Sequence, residues 1–165
     1  MEETQEEETH NNIKVSVRNL TKIFGKRPEE ALRLVEQGKK KQEIFEETQQ
    51  NVALRSVSFD VYEGELFVLM GLSGCGKSTL LRCINRLIEP TSGAVEIDGV
   101  NLVAMSEDEL RQVRRTKIGM IFQGFALLPH RTILENVAFG LEIQDMPVAE
   151  REKKAQDAIT HLEQV

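Results

Sequence analysis

Two stretches near the start of the chain alternate between hydrophobic and polar positions. Residues 13–17 carry an apolar side chain at every second position, and residues 57–61 repeat the pattern just before a Glu63-Gly64 turn. Alternation of this kind is typical of a strand that buries one face. The sequence therefore predicts two half-buried strands, and we expect them to pair with each other.

The segment between these strands, residues 28–50, favours helix instead. Pro28 is suited to the first position of a helix, Gly38 is suited to the end of one, and Ile44 with Phe45 indicates a second helical turn. We therefore expect a helical hairpin inserted into a β-layer.

Residues 65–70 read Glu-Leu-Phe-Val-Leu-Met, a continuous apolar run after one acidic residue. Such a run is typical of a strand buried on both faces, as in a parallel sheet. The next apolar residues recur at helical spacing, and they predict a short helix over residues 78–86 with Leu80, Leu81 and Ile84 facing inward.

A second apolar run, residues 117–122, predicts another buried strand. Gln123 comes directly after it. Open α/β sheets bind their ligands outside the carboxyl ends of their strands. We therefore expect the Gln123 amide to lie beside any ligand bound at that edge of the sheet.

Turns and helix caps divide the rest of the chain. Residues 94–97 predict a strand between two turns. Ser106 and Thr132 each precede a glutamate by three positions, and this capping-box pattern opens helices. Apolar residues recur at helical spacing from Ala155 to Val165, with neither a glycine cap nor a strand after them. We expect three further helices and a domain that is unfinished at its last residue.

Composition and charge indicate a single domain with an acidic tail. The chain has 165 residues, of which 40% are hydrophobic, enough for the core of one domain. Its net charge is −6, and the acidic residues 1–12 contain no lysine or arginine, so we expect a disordered acidic tail there. The main basic cluster is interpreted as a solvated helix face, and no nucleic-acid partner is expected. The cluster consists of Arg111, Arg114, Arg115 and Lys117.

Targeting and redox signals are weak. No apolar run approaches the roughly 18 residues of a membrane span, and the acidic start is unlike a signal peptide. We therefore expect a soluble, intracellular chain. Cys75 and Cys83 are eight positions apart along one predicted stretch, too far to form a disulfide, and neither indicates a metal site.

Residues 71–79, Gly-Leu-Ser-Gly-Cys-Gly-Lys-Ser-Thr, match the phosphate-binding pattern G-x-x-x-x-G-K-[ST] between the predicted strand and helix. Chance would place this pattern in only roughly 0.5% of chains of this length. Its glycines let successive backbone N–H groups converge on phosphate oxygens. Lys77 is suited to reach the β- and γ-phosphates, and the Ser78 hydroxyl is suited to bind Mg²⁺. The sequence therefore predicts nucleotide binding. The predicted contact residues in the loop are Gly71, Ser73, Gly74, Cys75, Gly76, Lys77, Ser78 and Thr79.

With these elements placed, residues 13–165 resemble the ATP-binding subunit of an ABC transporter, and specifically those of glycine betaine/proline importers for quaternary ammonium compounds. The family-level motifs are residues 71–79 as Walker A, residues 120–124 (Met-Ile-Phe-Gln-Gly) as the Q-loop, and residues 20–24 (Leu-Thr-Lys-Ile-Phe) as the aromatic A-loop. The features typical of the importer subfamily are the insertion at 28–50 and the stretches 85–91 and 125–130.

This resemblance implies an α/β fold of the P-loop NTPase class, an ABC-type nucleotide-binding domain with an antiparallel β-layer, truncated before the signature motif and Walker B. It implies ATP and Mg²⁺ as cofactors, with Phe24 stacking on the adenine. Lys77 and Gln123 would be catalytic, and Ser78 and Gln123 would contact the metal. His130 would belong to the surface that couples the subunit to the transporter.

The resemblance also implies a peripheral position on the cytoplasmic side of the inner membrane. The expected partners are transmembrane permease subunits, a second ATP-binding subunit in a homodimer and, indirectly, a substrate-binding protein. Two alternatives stay open: a nucleotide-binding module without turnover, and a soluble ABC ATPase without a transporter. The insertion at 28–50 and the nearly neutral body of the chain argue against the second.

Overall fold

The structure, a computed structural model, describes residues 12–122, 124 and 127–162. Two compact units meet in sequence between Met105 and Ser106. The first unit contains β1 (Ile13–Phe24), α1 (Pro28–Glu36), α2 (Lys41–Thr48), β2 (Asn51–Tyr62), α3 (Lys77–Ile84), β3 (Ser92–Ile97) and β4 (Val100–Asn101). The second contains α4 (Glu107–Thr116), α5 (Ile133–Ile143) and α6 (Val148–Leu162). None of the helices in the described ranges combines the length and apolar character needed to cross a membrane.

The first unit is built on a four-stranded sheet in the order β2-β1-β3-β4, in which all neighbours are antiparallel. Val15 lies opposite Val61 and Val17 opposite Phe59, which confirms the predicted pairing of the two alternating stretches. Val17 and Val95 are fully buried on neighbouring strands. Burial does not alternate strictly, since Ile13 is 39% exposed and the polar Ser16 is 8% exposed, so the pattern predicts the strands and their pairing rather than a fully buried apolar face.

The segment between β1 and β2 forms α1 and α2, as the helix signals at Pro28 and Gly38 predict. Pro28 is the first residue of α1, and Gly38 follows the helix with a φ of +83°. Ala31 and Ile44, one from each helix, are fully buried against the sheet. The two helices therefore pack on the end of the β1–β2 ladder rather than standing out into solvent.

Both predicted capping boxes form in the second unit. The Ser106 backbone N–H and hydroxyl donate to the Glu109 carboxylate over 2.9 and 2.7 Å, at the start of α4. The Thr132 backbone N–H and hydroxyl donate to Glu135 over 2.7 and 2.8 Å, at the start of α5. These hydrogen bonds hold the pKa of both glutamates below the usual range, because they stabilise the ionised form.

We expect the second unit to lose stability in acid through these two caps. A carboxyl whose pKa is lowered by folding stabilises the fold above its usual pKa, and this contribution disappears as the pH falls through the lowered value. Thermal unfolding followed by helical circular dichroism between pH 7 and pH 3 measures the loss. The variant Glu109→Gln/Glu135→Gln keeps an acceptor at each cap but cannot titrate, so its stability should depend less on pH. Equal pH dependence in both proteins would contradict this role.

The two apolar runs do not form the predicted strands. Residues 65–72 and 118–122 have no regular secondary structure. Leu66 is 88% exposed and Ile121 is fully exposed, whereas a doubly buried strand would hide both. The physical reason is that a strand needs a partner strand in a ladder, and the sheet formed by the described residues includes neither run. The prediction of parallel strands at these positions is therefore wrong for this chain in its present form.

The helix after the phosphate loop is close to the prediction but rotated. It spans Lys77–Ile84, and it buries Leu80 and Cys83 while Leu81 is 51% exposed. Residues three apart share a helix face, so one face carries the pair Leu80 and Cys83 and leaves Leu81 outside. The expectation that Leu81 faces inward is wrong.

Candidate functional site

The predicted phosphate loop leads directly into α3. Gly76 is the N-cap residue of this helix and has a φ of +101°, a region that favours glycine. Among the described residues no side chain caps the helix start. The first N–H groups of α3 therefore remain available to an anion, and the helix dipole adds positive potential at the same place.

Gly76 also fixes the loop against the sheet. A Cβ added at this position would lie 2.8 Å from the Ala53 carbonyl oxygen and 3.1 Å from the Leu54 side chain, both on β2. Only a residue without a Cβ permits this approach between the start of α3 and the strand. The phosphate loop is thus held at one particular place along β2.

The Lys77 side chain folds back over the loop. Its ammonium group donates to the carbonyl oxygens of Gly71 and Leu72 over 2.7 and 2.8 Å, and it lies 3.5 Å from the Cys75 sulfur. The two carbonyl acceptors carry no formal charge, so they leave the positive charge of the ammonium uncompensated. An ammonium held at the centre of a loop of backbone donors is suited to bind an anion with several oxygens.

The remaining loop residues lie around this centre. Ser73, Gly74, Cys75 and Ser78 are exposed, and Thr79 is half-buried. Cys83 is buried further along α3, where burial raises the pKa of its thiol and keeps it protonated. Both cysteines are free, as expected. The loop therefore offers hydroxyls and backbone groups to a ligand from its open side.

Phe24, the predicted adenine-stacking residue, lies at the end of β1 and is 40% exposed. It pairs with Asn51, the first residue of β2. Asn51 is two positions from Ala53, against which Gly76 packs, so the Phe24–Asn51 pair and the Gly76 contact are about 7 Å apart along β2. Phe24 and the phosphate loop therefore lie at the same end of the β1–β2 ladder.

Lys22 is a residue of this site that sequence reasoning missed. Its ammonium group lies 5.0 Å from the centroid of the Phe24 ring and donates to the Glu89 carbonyl oxygen over 2.7 Å. The signal was present in the sequence, because residues 22 and 24 share one face of a strand. Lys22 therefore adds a cation–π contact beside the predicted base-binding ring.

We expect Phe24→Ala to weaken MgATP binding several-fold, because stacking on an aromatic ring is worth on the order of 1 kcal/mol. Phe24→Tyr should bind as the parent does, since it keeps the ring. Calorimetric titration of MgATP against the three proteins measures the difference. A lower melting temperature without any change in affinity for either variant would show that the ring only packs and that adenine binds elsewhere.

The structure does not test the predicted roles of two other residues. Gln123, the expected Q-loop glutamine, lies outside the described residues. His130 lines a groove of ≈ 380 Å³ between α5 and α6, where Arg131 donates to the Glu142 carboxylate over 2.8 and 3.2 Å. The Arg131–Glu142 pair fixes the wall of this groove. The coupling role of His130 stays a prediction.

Comparison with known proteins identifies the family of this chain. The family model described as "ABC transporter" matches residues 54–165. The glycine betaine/proline betaine transport system ATP-binding protein ProV of Escherichia coli is 52% identical over 150 residues, 91% of this chain and 38% of that protein. The glycine betaine transport ATP-binding protein OpuAA of Bacillus subtilis is 52% identical over 147 residues, 89% of this chain and 35% of that protein. The chain thus spans less than two fifths of the length of these relatives.

A solved structure shows the same fold. The ATP-binding cassette MJ0796, in a dimeric post-hydrolysis state bound to ADP and Pi, matches with a TM-score of 0.69 and 35% sequence identity over 88% of this chain and 56% of that one. This match confirms the predicted P-loop fold of the ABC type with its antiparallel sheet, and the relatives confirm the resemblance to glycine betaine/proline betaine ATP-binding proteins. The chain belongs to the ABC transporter family.

Proposed function

We propose that this chain supplies the nucleotide-binding loop of an ATP-binding subunit that energises an importer of glycine betaine/proline-type osmolytes. One observation carries the nucleotide part of the proposal. The Lys77 ammonium is bound by the carbonyl oxygens of Gly71 and Leu72, directly in front of a helix start that no side chain of the described residues caps. A triphosphate supplies the negative charge that this arrangement lacks.

The residues present fit ATP and Mg²⁺. The backbone of residues 71–79 and the Lys77 ammonium would hold the phosphates, and the Phe24 ring would take the adenine. The Ser78 hydroxyl, exposed on the first turn of α3, is a hard oxygen donor of the type that Mg²⁺ prefers. Gln123 would add an amide oxygen to the metal and orient the attacking water. When bound, the metal neutralises charge that develops on the phosphates.

The transport part of the proposal comes from the relatives. ProV and OpuAA are named as ATP-binding proteins of glycine betaine transport, and the family model is that of ABC transporters. We infer permease subunits in the membrane and a second ATP-binding subunit as partners, with this chain on the cytoplasmic side. The dimeric state of the MJ0796 cassette supports the second partner. A soluble ABC ATPase without a transporter gains no support from these relatives, and copurification of membrane subunits separates the two.

We expect a polypeptide of these 165 residues to show no significant ATP turnover. In-line attack on the γ-phosphate needs a positioned water, a completed metal shell and charge stabilisation from a facing subunit, each worth orders of magnitude in rate. The sequence contains no Leu-Ser-Gly-Gly-Gln-like signature and no Walker B acids. Hydrolysis would need such elements in addition to these 165 residues.

A steady-state phosphate-release assay at saturating MgATP tests this expectation. The 165-residue chain should release phosphate at the background rate, while a complete subunit in its transport system should hydrolyse ATP and import glycine betaine. Turnover by the 165-residue chain that disappears in Lys77→Ala would contradict the expectation, since contamination would not respond to that change. Import that continues unchanged with Lys77→Ala in the complete system would contradict the transport proposal.

A further inference from the structure

The inserted hairpin, defined as α1 and α2, packs on the ladder positions next to Phe24. Ile23 lies opposite Val52, one step from the Phe24–Asn51 pair. These two side chains are 2% and 4% exposed, and they form one buried cluster with Ala31, Val35 and Ile44 of the hairpin. The hairpin therefore packs against the Ile23–Val52 pair, which directly precedes the Phe24–Asn51 pair.

Gln50 connects the end of the hairpin to the residues after Phe24. Its side chain is 5% exposed although it is polar. The amide oxygen accepts a hydrogen bond from the Arg27 backbone N–H over 3.4 Å, and the amide nitrogen donates to the Thr48 carbonyl oxygen over 3.0 Å. One side chain thus joins the segment that leaves β1 to the end of α2.

Gly25 leaves the space that this amide occupies. A Cβ on Gly25 would lie 1.5 Å from the Gln50 amide oxygen and 2.4 Å from the amide carbon. The Gln50 amide therefore fills the place beside the backbone that directly follows Phe24. A shift of the amide would free that backbone, and a shift of the backbone would require the amide to move.

Further hydrogen bonds keep the hairpin in this position. The Thr48 hydroxyl donates to the Ile44 carbonyl oxygen over 2.6 Å and accepts from the Gln50 backbone N–H over 3.2 Å. The Arg55 guanidinium of β2 donates to the carbonyl oxygens of Lys39 and Val35 over 2.9 and 3.3 Å, at the end of α1. Both helices are thus tied to the strand that starts at Asn51.

We infer that the inserted hairpin, acting through the buried Gln50 amide at Gly25, positions the Phe24 ring for the base of the bound nucleotide. Gln50 is a positioning residue in this inference, because it contacts the backbone beside Phe24 and not the nucleotide. The inference rests on the proposed function, in which Phe24 takes the adenine. A ring that is ordered before binding costs less entropy when the base arrives, and this difference appears as affinity.

If Gln50 acts through the Phe24 ring, its replacement should weaken only ligands that contain a base. We expect Gln50→Ala to weaken MgATP binding by about two- to tenfold, the range that corresponds to loss of an aromatic contact. Binding of inorganic tripolyphosphate, which has no base, should not change. In a Phe24→Ala background, Gln50→Ala should cause no further loss of MgATP affinity, because the residue acts through the ring.

Calorimetric titration of the full chain and its variants with MgATP and with magnesium tripolyphosphate tests the inference. Gln42→Ala is the matched control, since it removes another glutamine side chain from the same hairpin at an exposed position. It should bind both ligands as the parent does. If Gln50→Ala does not fold, Gln50→Met fills the same volume without the amide, and we expect the same pattern with a smaller loss.

The outcomes separate this inference from the proposed function. Equal weakening of both ligands by Gln50→Ala, or an added loss in the Phe24→Ala background, would show a general structural role and would overturn the inference alone. The same holds if Phe24→Ala weakens MgATP binding and Gln50→Ala does not. If Phe24→Ala has no effect, the adenine assignment and the inference fall together. If Lys77→Ala leaves tripolyphosphate binding intact, it is the phosphate-loop proposal that fails.

Discussion

Replacing Lys77 with alanine is expected to abolish MgATP binding or to weaken it by about 100-fold or more. A charge-assisted hydrogen bond typically contributes about 1.5–3 kcal/mol, and this ammonium is suited to make more than one with the phosphates. The side chain already lies within the loop, bound to the carbonyl oxygens of Gly71 and Leu72. Its removal therefore takes away the positive charge together with these two hydrogen bonds within the loop.

Lys153→Ala provides the control for this experiment. It removes the same charge from an exposed position on α6, so it reports the effect of net charge alone. Titration calorimetry should give the parent affinity for Lys153→Ala and little or no heat for Lys77→Ala. Unchanged affinity in Lys77→Ala would refute the assignment of the phosphate loop.

The largest effect on stability is expected at Gly93, the second residue of β3. A Cβ on Gly93 would lie 2.6 Å from the carbonyl oxygens of Arg18 and Asn19, which belong to the backbone of β1. The register between β1 and β3 shifts at this point, and Asn19 has a φ of +48°. Gly93 itself has a φ of +98°. Gly93→Ala therefore combines a clash between rigid atoms with an unfavourable backbone conformation, and we expect a loss of about 3 kcal/mol.

Gly99→Ala separates these two causes. Gly99 has a φ of +72° in the turn between β3 and β4, but a Cβ there would meet no atom within 4 Å. Only the backbone term remains, so the expected loss is about 1 kcal/mol. Urea unfolding of the parent and both variants measures the free energies. Equal losses for the two substitutions would show that the close approach at Gly93 relaxes at no cost.

Local signals were sufficient to predict many elements. The period of the alternating residues is directly visible in the sequence, and it predicted β1, β2 and their pairing. The two capping boxes form because all of their hydrogen bonds lie within four consecutive residues, Ser106 to Glu109 and Thr132 to Glu135. The phosphate loop is equally local, since its pattern specifies both the glycines and the lysine at the helix start.

Features that depend on distant partners were predicted less well. Residues 65–70 have the composition of a buried strand, yet composition does not supply the neighbouring strand that the ladder needs. Leu81 was assigned inward from the helical spacing of the apolar residues, whereas in the structure it is exposed and Cys83 is buried. Gln50 gave no signal either, because its role follows from the missing Cβ of Gly25, which only the folded chain brings beside it.

Titration of the isotope-labelled chain with MgATP, followed by backbone amide and aromatic side-chain chemical shifts, tests the central claim most directly. The claim is that residues 71–79 hold the phosphates while Phe24, at the same end of the β1–β2 ladder, takes the adenine. We predict that the largest shift changes fall on the amides of residues 71–79 and on the Phe24 ring, and that both sets disappear in Lys77→Ala. Shift changes that saturate elsewhere in the chain while the amides of residues 71–79 stay in place would contradict the account.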